Sequence, residues 1–202
     1  MEQAQSWPAD GKHIVAQFDE NSIVVYQAYN REIADYAVAH QTFGGSFSFN
    51  RMSWIKPNFL WMMFRAGWAE KENQEVILAI TLRRHFFEMI LSRAIHSTFL
   101  PEVYGTEARW RQLGGQSDVR MQWDPDHDPY GQPVHRKAIQ LGLRGRTLHE
   151  YATEGILSIE DITSFVQANA KHVRARKLDQ LIVPRESVYR PVDASVIQRI
   201  FA

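Results

Sequence analysis

Apolar residues are concentrated in residues 57–66, where they cover nearly every face of a helix. A helix that is apolar all round is buried rather than exposed on a surface. Arg51, Lys56 and Arg65 accompany this run, and long cations are rarely buried unless they are paired or face a cleft. The pattern therefore predicts a buried helix whose amino end faces a cleft.

Strict alternation of apolar and polar residues predicts two strands, residues 119–124 and 136–143. The loop between them is too short for a crossover, so the strands are predicted to form a long antiparallel hairpin. Alternation places several polar side chains on one face: Arg120, Gln122, Asp124, Arg136 and Gln140. Small Ala138 and Gly142 share that face, and glycine in a strand often marks close approach by a ligand or by backbone. A solvent-exposed polar face explains the same pattern without a ligand.

Periodicity, caps and breakers predict the other elements of the chain. Strands are predicted near residues 14–18, 23–29 and 76–82. Helices are predicted at 31–40, capped by Asn30 and ended by Gly44-Gly45, between Pro57 and Gly67, at 84–96, at 147–154, and at 159–174, where Ser158 opens the helix. Residues 101–117 are predicted to form a surface excursion, and Asp193 is predicted to cap a short final helix. The predicted fold is α+β, a single domain over residues 1–202 with a mainly antiparallel or split sheet, flanking helices and a ligand cleft. The tail, residues 184–202, is predicted to pack on this domain.

Composition excludes several classes of protein. The formal net charge is zero, so any contact with nucleic acid must be local rather than dominated by counterion release. The absence of cysteine excludes disulfides, thiolate metal sites and cysteine nucleophiles. The first residues lack the basic and apolar regions of a secretory signal, and no apolar run is long enough to span a bilayer. A cytoplasmic location without a membrane role is therefore expected.

The junction of Lys56 and Pro57 is a candidate anion site. Free backbone N–H groups at a helix start carry partial positive charge, and Arg51, Lys56 and Arg65 add full charges. Phosphate is the expected anion, and three tryptophans are candidates to stack on a base or a nicotinamide ring: Trp54, Trp61 and Trp68. The alternative is that the cations pair with carboxylates elsewhere and that the rings belong to the core.

Gln27 and Tyr29 lie at the end of an otherwise apolar strand, where α+β enzymes often hold substrate; burial with satisfied hydrogen bonds is the alternative.

The run 124–128 contains carboxylates and His127, but its spacing matches no metal cage, so an ordinary turn and no metal are predicted. His127 is also a candidate general acid or base without an identified partner. Three residues of the 84–96 helix are predicted to be surface or cap groups: His85, Glu88 and His96.

Four blocks of the chain carry a family resemblance: Val25-Tyr-Gln-Ala-Tyr29, Arg51-Met-Ser-Trp-Ile-Lys-Pro-Asn-Phe-Leu-Trp-Met-Met-Phe-Arg-Ala-Gly-Trp68, Gln122-Trp-Asp-Pro125 and Ala138-Ile-Gln-Leu-Gly142. Through them the chain resembles the bacterial and fungal family of domain of unknown function 4291, over roughly residues 12–185. The resemblance implies a shared fold without specifying an activity.

A second, weaker likeness is to ADP-ribosyltransferase-like folds, which resemble one another in a split sheet that clamps NAD. It would place Gln27 and Tyr29 at the first motif, residues 51–56 at the second, and Gln140 at the third. The chain departs from this pattern at the third motif, where many such transferases use Glu, and it lacks their usual Arg or His at the first.

Two functions follow as hypotheses. The first is an enzyme of ADP-ribosyltransferase-like type acting on a nucleotide or nucleic-acid ligand, with NAD as the candidate cofactor. In this hypothesis Arg51, Lys56 and Arg65 hold phosphate and Trp54 stacks, with Gln27 and Tyr29 also at the substrate. The catalytic candidates are Gln122, Asp124 and Gln140. The second is a non-catalytic module that binds nucleic acid or a protein through the same cleft.

Overall fold

The computed structural model describes residues 7–202 in nine strands and eight α-helices. Residues 1–6, which include most of the segment searched for a secretory signal, lie outside the described residues. The strands are β1 Ile14–Ala16, β2 Ser22–Tyr29, β3 Ser53–Ile55, β4 Val76–Arg83, β5 Ala94–His96, β6 Val119–His127, β7 Pro133–Leu143, β8 Ile156–Asp161 and β9 Ser187–Tyr189. The helices are α1 Arg31–His40, α2 Phe59–Ala66, α3 Arg84–Arg93, α4 Pro101–Tyr104, α5 Glu107–Gln116, α6 Gly145–Glu150, α7 Thr163–Arg174 and α8 Ala194–Ile200, with a π-helical turn Tyr151–Gly155 after α6.

The first sheet has the order β2-β4-β8, and both pairings are antiparallel. Strand β4 is central, as its continuous apolar run predicts, because such a run is suited to a strand covered on both faces. On one face α2 and α7 pack against it, with Phe59, Met63 and Val166 among the buried residues. The other face belongs to the main core, to which α1 and α3 contribute.

The second sheet has the order β3-β7-β6-β5, and the predicted hairpin of β6 and β7 lies at its centre. Its antiparallel register pairs Gln122 with Gln140 and Asp124 with Ala138, so these side chains share one face as predicted. A small third sheet joins β1 to β9.

One backbone bridge joins the two larger sheets among the described residues, between Tyr26 of β2 and Lys56, which follows β3. The backbone N–H of Tyr26 donates to the Lys56 carbonyl at 2.7 Å, and the N–H of Lys56 donates back at 3.2 Å. Side chains of β2 also hydrogen-bond to β3, so these two strands lie where the sheets diverge. This junction positions the candidate site described below.

Two helices differ from the prediction in the residue that ends or begins them. Helix α1 has the predicted bounds, residues 31–40 after the Asn30 cap, but Gln41 ends it in a left-handed conformation, ahead of the two glycines. Helix α2 starts at Phe59, with Asn58 as its cap, so Pro57 lies just before the helix rather than at its first position. Gly67 ends α2 in the left-handed conformation that glycine adopts without strain, as predicted.

Three predicted segments have a different structure. Residues 94–96 are not part of the predicted helix but form β5, which pairs with β6 in parallel. His96 is buried rather than exposed, and its Nδ1 lies 2.9 Å from the Tyr104 hydroxyl. The excursion at 101–117 is largely helical, as α4 and α5. Ser158 lies in strand β8 and caps no helix; α7 starts at Thr163, whose N–H donates to the Asp161 carboxylate at 2.9 Å.

The architecture is α+β with mainly antiparallel sheets, as predicted from the sequence. Among residues 7–202 no helix is long and apolar enough to cross a membrane.

Candidate functional site

A cavity of about 500 Å³ lies where the two large sheets diverge. Its walls come from the end of β2, from β3 and the residues on either side of it, from α2, from the loop before β4, and from the hairpin. Eight of the nine predicted site residues line it: Gln27, Tyr29, Arg51, Trp54, Lys56, Arg65, Gln122 and Gln140. The ninth, Asp124, hydrogen-bonds to both hairpin glutamines behind that wall.

Lys56 is the most unusual side chain of the cavity, because only 4% of it is exposed. Among the described residues its ammonium group has no ion pair or hydrogen bond, and it lies over the Trp61 ring, with Nζ 5.8 Å from the ring centroid. Burial, and to a smaller extent nearby Arg65, lower the pKa of Lys56 to about 8, although Asp124 opposes both effects. A cation is thus held in the cavity wall at a considerable desolvation cost.

Arg51 and Arg65 supply two further cations, and both are exposed at the cavity. None of the described residues that line the cavity is an aspartate or a glutamate. The whole chain has equal numbers of basic and acidic residues, so this excess of positive charge is local. The cavity is suited to an anion.

The amino end of α2 does not contribute to this anion site, contrary to the prediction. The N–H of Phe59 donates to the Glu186 carboxylate at 2.7 Å, and the N–H of Trp61 donates to the Asn58 side chain at 2.7 Å. The positive end of the helix is therefore already used by groups of the protein itself. The sequence could not reveal this, because Glu186 is distant along the chain.

Of the three candidate tryptophans, only Trp54 lines the cavity. Trp61 is buried beside Lys56, and Trp68 is half-buried and donates its indole N–H to the Pro129 carbonyl at 3.3 Å. Trp54 and Met52 lie against Gly142, where an added Cβ would come within 3.0 Å of the Trp54 ring. The space predicted above Gly142 is thus filled by these two side chains.

Gln27 and Tyr29 form a buried hydrogen-bonded floor. The Gln27 amide N–H groups donate to Tyr29, Ser53 and the Trp54 carbonyl at 2.8, 2.8 and 3.1 Å, and its carbonyl accepts from Tyr151 at 2.7 Å. Burial raises the pKa of both tyrosines well above the ordinary value, so the hydroxyls stay protonated. Because these groups are already satisfied by protein, they fix the position of β3 rather than contact a ligand directly.

The opposite wall carries the hairpin glutamines. Asp124 accepts an N–H from Gln122 at 2.8 Å on one oxygen and an N–H from Gln140 at 2.7 Å on the other. Partial burial raises the pKa of Asp124, and the two amide hydrogen bonds oppose that rise. The three side chains form one connected unit.

Residues 124–127 belong to β6, and only Asp128 takes part in the turn, where its carboxylate accepts from the N–H groups of Tyr130 and Gln132. Asp126 is buried and accepts two hydrogen bonds from the Arg136 guanidinium, at 2.8 and 2.6 Å. His127 stacks on Phe64 with ring centroids 3.5 Å apart, and burial lowers its pKa. Within the described part of the chain no cluster of three or more histidine, aspartate and glutamate side chains could hold a metal ion.

Sequence reasoning did not identify several other lining residues. Asn73 and Gln74 reach the cavity from the loop that follows α2, and Ser53 and Met52 flank Trp54. Tyr151, which anchors the Gln27 amide from the π-helical turn, was also missed. Their contributions depend on contacts between segments that are far apart in sequence.

Comparison with known protein families gives one match, to the family described as Domain of unknown function (DUF4291), over residues 13–189. No curated protein matches the chain.

Proposed function

The chain belongs to the family Domain of unknown function (DUF4291), and from that premise we propose that its cavity binds the phosphate groups of a nucleotide or nucleic-acid ligand as the substrate site of an enzyme. The observation that carries the proposal is Lys56, whose side chain is almost wholly buried while its ammonium reaches the cavity with no carboxylate of the described residues bonded to it. A charge held in so poorly solvated a wall is costly, and an anionic ligand in the cavity would offset that cost.

The size and lining of the cavity favour a nucleotide over a small inorganic anion. A volume of about 500 Å³ is within the range of sites for organic ligands. Trp54 offers an aromatic surface for a base, and four carboxamides line the walls: Asn73, Gln74, Gln122 and Gln140. Arg51 and Arg65 add charge for a diphosphate or triphosphate group beside Lys56.

For the reaction, we propose group transfer of the ADP-ribosyl type with NAD as the first ligand to test. Two sheets that meet at Tyr26 and Lys56 and then diverge around the cavity support this proposal, because ADP-ribosyltransferase-like folds clamp NAD in a split sheet. Gln140 stands in place of the usual Glu, and Asp124 does not line the cavity itself but is hydrogen-bonded to both glutamines that do. Asp124 would therefore stabilise a developing sugar cation through its charge, without touching it.

Calorimetric titration with NAD, ATP and a short RNA tests the proposed binding. We expect at least one of them to bind, and we expect the double variant Arg51→Ala, Arg65→Ala to bind it roughly tenfold or more weakly, since two charge-assisted contacts are lost. Lys171→Ala, which removes an exposed cation on α7, is the matched control and should leave the affinity unchanged.

If none of the three ligands binds to the wild-type chain, the proposal is wrong. Binding without turnover of any ligand, with full affinity in Asp124→Asn, would instead identify a non-catalytic binding module.

Affinity should also depend on pH in a defined direction. Because the pKa of Lys56 is lowered to about 8, the ammonium is present at pH 7 and is lost as the pH rises through 8. The phosphate groups keep their charge over that range. We therefore expect affinity to fall between pH 7 and pH 9 in the wild type, and a flat profile over that range would show that Lys56 does not contact the ligand as a cation.

A further inference from the structure

The side-chain amides of the hairpin wall have a fixed orientation, which determines whether they offer donors or acceptors to the cavity. Gln122 and Gln140 are direct cross-strand partners, and each donates an amide N–H to a different oxygen of Asp124. An ionised carboxylate can only accept hydrogen bonds, so each glutamine must turn its NH2 group toward Asp124. Asp124 therefore decides the orientation of both amides.

Once the NH2 groups face Asp124, each amide carbonyl oxygen is directed away from it. Both glutamines line the cavity, and among the described residues neither side-chain carbonyl accepts a hydrogen bond. The wall thus presents two hydrogen-bond acceptors side by side, whereas Arg51, Lys56 and Arg65 supply donors and positive charge elsewhere in the cavity. The two groups of residues suit different ends of one ligand.

We propose that Gln122 and Gln140 recognise a ligand group that donates two hydrogen bonds, with Asp124 as the positioning residue that sets their acceptors. This inference rests on the proposed nucleotide site. It adds that the hairpin wall recognises one hydrogen-bond-donating part of the nucleotide. A nucleotide carries such donors in two places, the vicinal hydroxyls of the ribose and the exocyclic amine of the base. In either case its phosphates lie toward Lys56, so the ligand has one orientation in the cavity.

Titration of the wild-type protein with ATP, 2′,3′-dideoxy-ATP and ITP shows whether the ribose hydroxyls or the exocyclic amine of the base donates to the two glutamines. The dideoxy analogue lacks the hydroxyls, and ITP has a carbonyl in place of the amine. Because two hydrogen bonds to the glutamine carbonyls are lost, we expect one of the two analogues to bind roughly tenfold more weakly than ATP. Equal affinity for all three ligands would overturn the inference but leave the proposed nucleotide site intact, and so would a protein that binds NAD or short RNA but not ATP. Failure of NAD, ATP and short RNA alike to bind would overturn both.

Two variants test whether Asp124 sets the orientation of the glutamine amides, and the readout is discrimination between ligands rather than stability of the fold. Asp124→Asn allows either glutamine amide to turn, and Gln140→Met removes one acceptor, so both should bind ATP and the weaker analogue with nearly equal affinity. Gln140→Met should bind inorganic pyrophosphate as the wild type does, because it removes no charge near the cations, whereas Asp124→Asn also removes a charge that acts on Lys56 and is compared by its discrimination alone. Gln167→Met, an exposed substitution on α7, is the control and should keep full discrimination. Full discrimination in Asp124→Asn, or loss of pyrophosphate binding together with discrimination in Gln140→Met, would contradict the positioning role.

Discussion

Lys56→Met is expected to raise the free energy of unfolding by up to about 3.5 kcal/mol at pH 7. The pKa of Lys56 is lowered from 10.5 to about 8, and each pKa unit corresponds to about 1.4 kcal/mol. Methionine is unbranched and similar in length, so it can occupy the same space beside Trp61 without placing a charge there. A stabilising substitution in a cavity wall is the expected sign of a residue kept for function at a cost in stability.

The pH dependence of this gain has a defined sign. Below pH 8 Lys56 is charged in both the folded and the unfolded chain, so the full desolvation cost is present and the variant has its largest advantage. Between about 8 and 10.5 only the unfolded chain retains the proton, so the wild type gains stability as the pH rises. The advantage of the variant should therefore shrink across that window.

Urea unfolding of both proteins at pH 7 and at pH 10 measures this effect. Lys171→Met, at an exposed position of α7, is the control and should change stability little at either pH. A Lys56→Met protein less stable than the wild type at pH 7 would show that the ammonium has a stabilising partner in the folded chain.

Asp126→Asn is expected to lower the free energy of unfolding by about 3–5 kcal/mol, because it leaves the buried charge of Arg136 without its partner. Arg136 also donates to the Pro8 carbonyl at 2.8 Å and lies over the Trp7 ring, so the pair ties the start of the described chain to the hairpin. Chemical denaturation followed by circular dichroism gives the value.

The control for Asp126 is Asp35→Asn. Its partner Arg31 lies 3.4 Å away, and both side chains are more than half exposed, so this loss should cost no more than about 1 kcal/mol. A similar small loss for both variants would contradict the structural role of the buried pair.

Local chemistry was sufficient to predict much of the fold. The helix cap at Asn30, the alternation that pairs Gln122 with Gln140, and the apolar run of β4 each depend on neighbours in sequence or on one simple period. The composition of residues 51–68 also indicated a cavity wall containing cations, because burying Lys56 requires a partner or an opening.

The rest depends on segments that meet only after folding. Ser158 resembles a helix cap, but pairing with β4 makes its segment a strand. Glu186 occupies the amino end of α2, and Tyr151 holds Gln27, each across more than a hundred residues. No period in the sequence indicates such contacts, so the sequence could not show that N–H groups at the start of α2 already bind groups of the protein, whereas the cations around it do line a cavity.

The measurement that bears most directly on the proposed site is a calorimetric titration of wild-type and Lys56→Met protein with the tightest-binding ligand among NAD, ATP and short RNA, at pH 7. Binding by the wild type and a loss of at least about a hundredfold in the variant is the predicted result, because a buried charge-assisted contact is removed from a folded and stabilised protein. Equal affinity of the two proteins would contradict the assignment of Lys56 as the phosphate-binding residue.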